Sequence, residues 1–251
     1  MGSVYSIVSG KGGVGKTTFS INLAFVLANA GKDVLLINSN FTTPNVSLYL
    51  KIPLDNPTIH DILKGYSKLE DSIYFFSNGL KVIPGSVSIS SLKDINLEKF
   101  LEFINEIKDN FDIIILDGAA GLGKEAIYSI KASDSVIAIS TNELPSLADC
   151  YKVIKVAEEL GKKIEGIVLN MVKDKVNVKK IEDEFGYRVL EIIPYSEELK
   201  ISVKKRIPMV NLYPESEFSD KIRKIASHIF NIPYEKKKEK GILKRIFWFL
   251  R

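Results

Sequence analysis

Residues 10–18 read Gly10-Lys11-Gly12-Gly13-Val14-Gly15-Lys16-Thr17-Thr18, between an apolar run, Val4 to Ser9, and a helical pattern that opens at Lys16. Four glycines within six positions let backbone N–H groups turn inward around phosphate oxygens, where a β-carbon would clash. The helix N-terminus that follows adds a dipole favourable to anions. In such a loop Lys16 meets the β- and γ-phosphates, and Thr17 offers a hydroxyl to Mg2+. Gly10, Lys11, Gly12, Gly13, Val14, Gly15, Lys16, Thr17 and Thr18 are therefore the candidate nucleotide-binding residues, with ATP or ADP and Mg2+ as ligands. A loop of this kind is predicted only where a strand feeds a helix.

Outward from the loop, short aliphatic or β-branched runs alternate with longer helical patterns, the signature of βαβ units and a parallel sheet. Seven runs read as strands: Val4 to Ser9, Asp33 to Asn38, Leu80 to Pro84, Asp112 to Asp117, Ser135 to Ser140, Ile164 to Asn170 and Arg188 to Ile193. Ile113-Ile114-Ile115-Leu116 has no polar alternation, as expected of a central strand covered on both faces. Helices are predicted at Lys16 to Ala30, an amphipathic one closed by Gly31, and at Leu97 to Asp109, Ser146 to Leu160 and Glu215 to Phe230. Thr58 and Asp61 form a capping box that opens a short helix to Lys64, stopped by Gly65. The fold class is α/β, a doubly wound and mostly parallel sheet flanked by helices, with an added C-terminal amphipathic helix.

At 251 residues, with 45% hydrophobic and 26% charged residues, the chain suits one large core rather than disorder or two domains. Cys150 is the single cysteine, so one subunit holds no internal disulfide and no multi-thiolate metal site, and a reducing cytoplasm is the expected setting. No apolar run approaches the roughly 18 residues of a membrane span. His60 and His228 are isolated on helical segments and read as ordinary polar or core-edge residues. The net charge of +4 is unevenly spread: seven cations and two glutamates in residues 234–251 give +5, leaving −1 for residues 1–233. A near-neutral body gives no electrostatic case for nucleic acid, which is bound by neutralising phosphates.

Lys11 is a second lysine five residues before Lys16, and one nucleotide in one subunit does not need it. With Lys11 to Thr18 reading KGGVGKTT, the chain resembles the MinD/ParA family of deviant Walker A ATPases, closest to its archaeal MinD-like branch. Asn22-Leu23-Ala24, Leu35-Leu36-Ile37 and the strand Asp112 to Asp117 with Gly118-Ala119-Ala120-Gly121-Leu122-Gly123 extend the likeness along most of the chain. The resemblance implies an ATP-sandwiched homodimer in which Lys11 contacts the partner subunit's phosphates, as an arginine finger would in trans. It implies that Asp117 holds a water of the Mg2+ shell, making Thr17 and Asp117 the metal residues. Asn170 falls where the family places an adenine reader, although asparagine at a strand end is also a turn former. Iron–sulfur carriers of related sequence require paired cysteines and are excluded.

The family's paired acidic residues after the second strand are replaced here by Asn38-Ser39-Asn40, ahead of a switch I stretch, Phe41-Thr42-Thr43-Pro44-Asn45. An amide can orient water but neither accepts a proton nor brings charge to a metal, so slow hydrolysis is expected from a catalytic set of Lys11, Lys16, Asn38 and Asn40. Thr141-Asn142-Glu143-Leu144-Pro145 is one residue shorter than the corresponding family loop. Residues 1–233 are assigned to the P-loop ATPase domain, 234–240 to a charged linker and 241–251 to an amphipathic helix. On a helical wheel Ile242, Leu243, Ile246, Phe249 and Leu250 share one side, with Lys244, Arg245 and Arg251 elsewhere. Such a helix either docks on the body or lies in an anionic membrane surface, and the basic linker and single Trp248 favour the membrane. The expected protein is a cytoplasmic, peripherally membrane-bound ATPase that recruits or positions an unidentified partner protein; the alternatives are a nucleotide-gated scaffold and a ParA-like DNA partitioner.

Overall fold

The computed structural model describes residues 2–92 and 95–237; the expected helix at 241–251 and residues 238–240 of the linker lie outside them. The strands are β1 (Ser3–Ser9), β2 (Val34–Ser39), β3 (Tyr74–Phe75), β4 (Lys81–Ile83), β5 (Ile113–Ala120), β6 (Ser135–Ser140), β7 (Lys163–Val172) and β8 (Val189–Pro194). The helices are α1 (Lys16–Asn29), α2 (Val46–Leu50), α3 (Ile59–Leu63), α4 (Leu69–Ser72), α5 (Leu97–Ile107), α6 (Lys124–Ala132), α7 (Leu144–Glu159), α8 (Val178–Phe185), α9 (Glu197–Lys205), α10 (Met209–Leu212) and α11 (Glu217–Phe230). The strands form one sheet in the order β3-β4-β2-β5-β1-β6-β7-β8. Every pairing is parallel except the two-residue β3 against β4.

Helices cover both faces, which is why β2 and β6 are buried at every position. Alternate side chains enter opposite layers: Leu36 and Ile115 face α1 and α11, while Leu35, Ile37 and Ile114 face α3 and α5. A third cluster packs Val136, Ala138 and Leu169 against α7 and α8. α1 is not amphipathic as expected. It is buried on nearly all sides between the sheet and α11, so its apolar residues form no stripe. Its end is as predicted, with Gly31 at φ 81° and Lys32 N–H returning to the Leu27 carbonyl at 3.2 Å. The capping box is also present: Asp61 Oδ2 accepts from the Thr58 N–H at 2.8 Å and from its hydroxyl at 2.6 Å. Cys150 lies buried in α7, and desolvation pushes its thiol up to about 12.

The order places β1 at the centre, with β5 and β2 to one side and β6 to the other. The chain reverses its winding there, and the crevice beyond the carboxyl ends of these strands is where doubly wound sheets take ligands.

Candidate functional site

The loop after β1 fills that crevice, and its glycines divide by task. A β-carbon on Gly10 would sit 2.1 Å from a backbone carbon of Asp149 on α7, so this residue lets the loop lie against a helix. Gly13 and Gly15 hold φ of 80° and 91°, left-handed values that only glycine adopts freely. A β-carbon on Gly12 or Gly13 would meet no protein atom within 4 Å. Those two face open space, as a cradle for a ligand must. The space is a cavity of about 620 Å³, a size suited to a small ligand, lined by Gly12, Gly13, Gly15, Lys16, Thr17 and Thr18 with residues of the 40–45 segment and the start of α6.

Folding brings Asp117 to the start of α1. The Thr17 hydroxyl donates to Asp117 Oδ2 at 2.8 Å, and the Ser20 hydroxyl donates to Oδ1 at 3.0 Å. Asp117 is 1% exposed, and burial raises its pKa, while Lys16 and the two hydroxyls pull the other way. Burial lowers the pKa of Lys16, opposed by Asp117. Two desolvated opposite charges, each short of full compensation, are costly to hold without a ligand. A cation held near Asp117 and an anion near Lys16 would relieve both penalties, so the residues fit magnesium and a phosphate group. Among the described residues no group of three or more His, Cys, Asp and Glu side chains forms a metal site of its own.

Asn40 lines the cavity, and its amide is folded onto Thr43, donating to that residue's carbonyl at 2.9 Å. Asn38 does not line it. Asn38 is fully buried, pairs in register with Asp117 across β2 and β5, and its Oδ1 accepts from the Asn40 N–H at 3.2 Å. Alternation along β2 sets Asn38 on the same face as Leu36, the α1 side of the sheet, beside Asp117 and behind the wall that Asn40 helps to form. Asn170 is not a turn former, because it lies within β7 and is buried. Its Nδ2 lies under the loop and donates to the Val14 carbonyl at 2.8 Å, bracing the cradle. The next residue, Met171, held at φ 59°, lines the cavity instead.

Lys11 is exposed and absent from the wall of that cavity; it lines a second cavity of about 540 Å³ with Asn142, Glu143, Lys173 and Tyr195. The loop is the partition between the two, and Gly12, Gly13 and Met171 touch both. Helix α7 begins at Leu144, two residues earlier than predicted, with Glu143 at its cap, and leaves Leu144 78% exposed beside this cavity.

Sequence reading missed two residues here. Glu125, in the first turn of α6, accepts from the Thr42 N–H at 3.1 Å and also from the Thr42 hydroxyl, tying the 40–45 segment to the helix after β5. His60 is no core-edge residue: it is fully buried, and its Nε2 meets the Phe41 carbonyl at 3.1 Å. A glutamate following Gly123-Lys124 could have been found as a helix N-terminal acid; nothing local in the sequence marks His60.

Residues 5–209 match the CobQ/CobB/MinD/ParA nucleotide binding domain. An uncharacterised ATP-binding protein of Methanocaldococcus jannaschii is 34% identical over 253 residues, covering 98% of this chain and 96% of that one. Among solved structures, the cell division ATPase MinD of Pyrococcus furiosus superposes with a TM-score of 0.88 at 33% identity, covering 92% of this chain and 99% of its own. MinD of Pyrococcus horikoshii, solved with Mg-ADP, gives a TM-score of 0.87 at 32% identity, covering 91% and 96%.

Proposed function

Because this chain belongs to the CobQ/CobB/MinD/ParA nucleotide-binding family, whose MinD and ParA members are ATPases, we propose that it is a MinD-like ATPase switching between a monomer and an ATP-sandwiched homodimer. The observation that carries this reading is that Lys16 and Thr17 line one cavity and Asp117 lies directly behind them, its carboxylate 2.8 Å from the Thr17 hydroxyl. Lys16 holds the terminal phosphates, and the loop N–H groups of Gly12 to Thr18 cradle the remaining oxygens. Thr17 and Asp117 hold magnesium, which when bound offsets phosphate charge and orients the leaving group. Asn40 orients the attacking water from the cavity wall, and Asn38 supports Asn40 from behind. Asn170 braces the loop.

Lys11 serves a second copy. Its place outside its own phosphate cavity, beside the exposed Leu144, supports a contact made in trans to the partner subunit's nucleotide. The basic, aromatic segment 241–251 supplies peripheral attachment to an anionic membrane at its cytoplasmic face, and two copies in a closed dimer gain avidity with no new contacts. The ATP state would then recruit or position another protein. Among the described residues no helix is long and apolar enough to cross a membrane.

Sizing chromatography tests the switch: ATP with magnesium should double the apparent mass of the parent protein, ADP should not, and Lys16→Ala should remain a monomer throughout. A parent protein indifferent to ATP would overturn the reading. A scaffold with vestigial hydrolysis is the second reading, favoured by the absence of any carboxylate at positions 38 and 40. Steady-state phosphate release with and without anionic vesicles separates the two.

A further inference from the structure

We propose that His60 is a positioning residue for ATP hydrolysis, holding the Phe41–Thr42 peptide so that Asn40 keeps its place at the phosphate cavity. The proposal rests on the ATPase reading above but concerns a residue that lines neither cavity.

His60 sits on α3, remote in sequence from the glycine loop. Its ring is held by backbone on both sides. The Ser86 N–H donates to Nδ1 at 3.1 Å, which makes Nδ1 an acceptor and leaves the proton on Nε2. Nε2–H therefore donates to the Phe41 carbonyl at 3.1 Å. The peptide that carries this carbonyl also carries the Thr42 N–H, and that group donates to Glu125 at 3.1 Å. A trans peptide is planar, with its C=O and N–H directed oppositely. Gripping both ends, from α3 on one side and α6 on the other, fixes the tilt of the plane and the torsions that flank it. Asn40 is the residue immediately before, and its own N–H is tied to Asn38. Residues 40, 41 and 42 thus take one anchor each from β2, α3 and α6.

The Phe41 ring is seated independently, edge-to-face on His60 with centroids 5.6 Å apart and on Phe100 at 5.3 Å. Aromatic packing places the ring; the hydrogen bond to Nε2 holds the carbonyl. A shift of about 1 Å in a water-orienting group slows chemistry strongly while leaving phosphate binding by the loop intact.

Two substitutions separate this role from plain packing. In His60→Gln the amide nitrogen reaches about as far as Nε2 and can donate to Phe41. In His60→Asn the shorter side chain can still accept from Ser86 but falls short of Phe41. Both variants lose ring volume, so thermal unfolding should fall in both. Single-turnover ATP hydrolysis, corrected for folded fraction, should drop roughly ten- to a hundredfold in His60→Asn and recover most of that loss in His60→Gln, with the Kd for Mg-ADP unchanged. Amide exchange at residues 40–43 should quicken in His60→Asn and not in His60→Gln. Equal hydrolysis in the two variants, or losses that follow melting temperature alone, would overturn the proposal. A parent protein that releases no phosphate defeats the ATPase reading instead; equal exchange at 40–43 in both variants then defeats the His60 hold by itself.

Discussion

At position 38 a buried amide stands where a carboxylate would bring charge to a metal. Asn38 Nδ2 has no hydrogen-bond partner among the described residues, a deficit of about 1–3 kcal/mol for a buried donor. Asn38→Asp removes that donor but sets a second buried carboxylate across the strand from Asp117, whose pKa burial already raises. The variant should therefore melt lower than the parent without magnesium, regain stability with Mg-ATP, and hydrolyse at least about tenfold faster in a single turnover, since about 1.4 kcal/mol suffices for that. An unchanged rate would show that the amide does not limit the chemistry. His60 gives a prediction in pH. Burial holds its pKa below 6.5; the Phe41 carbonyl, Asp61 and Glu125 favour the charged ring, and Lys64 opposes it. A folded pKa lowered in this way means that the unfolded chain binds the extra proton, so stability is kept above pH 6.5 and lost as pH falls from there toward the folded value. The stability difference between the parent and His60→Gln, read by denaturant unfolding, should narrow between pH 7 and pH 5.

Among the elements, those that sequence reading located are those whose own residues state their ends or their burial. Ile113 to Leu116 has no polar alternation, and the Thr58–Asp61 box announces α3. The missed elements lack such marks. β3 is two residues of edge strand, and α9 fully buries only Ser202, so no apolar stripe betrays it. α6 follows directly on a Gly–Ala run that masks its start. For α1 the pattern was present but its meaning was not: burial on all sides is a property of α11 packing over it. α3 also carries a test. Asp61→Ala removes the acceptor for both bonds that Thr58 donates and should cost about 1 kcal/mol in denaturant unfolding. Because His60 lies on the same five-residue helix, phosphate release should slow with it.

For the whole molecule, the test is whether nucleotide binding governs attachment through residues 241–251. Removing residues 241–251 should abolish ATP-dependent sedimentation with anionic vesicles and leave the nucleotide-induced rise in melting temperature untouched; equal sedimentation of parent and truncated protein would discard the anchor. Saturation at about a hundred times Kd should add about 2.7 kcal/mol to the stability of either protein. The sequence alone determined the α/β class, the glycine loop and its lysines and threonine, the strand ending in Asp117, and the segregation of charge into the last eighteen residues. These rest on local rules of spacing, periodicity and backbone freedom, which a linear string records in full. Tertiary structure alone decided that Thr17 meets Asp117, that Asn38 is buried beside Asp117 while Asn40 lines the cavity, that Asn170 braces the loop, and that His60 and Glu125 grip one peptide from opposite sides. Each of those depends on which side of a strand or helix a residue presents to a neighbour distant in sequence, and that is settled only when the layers pack.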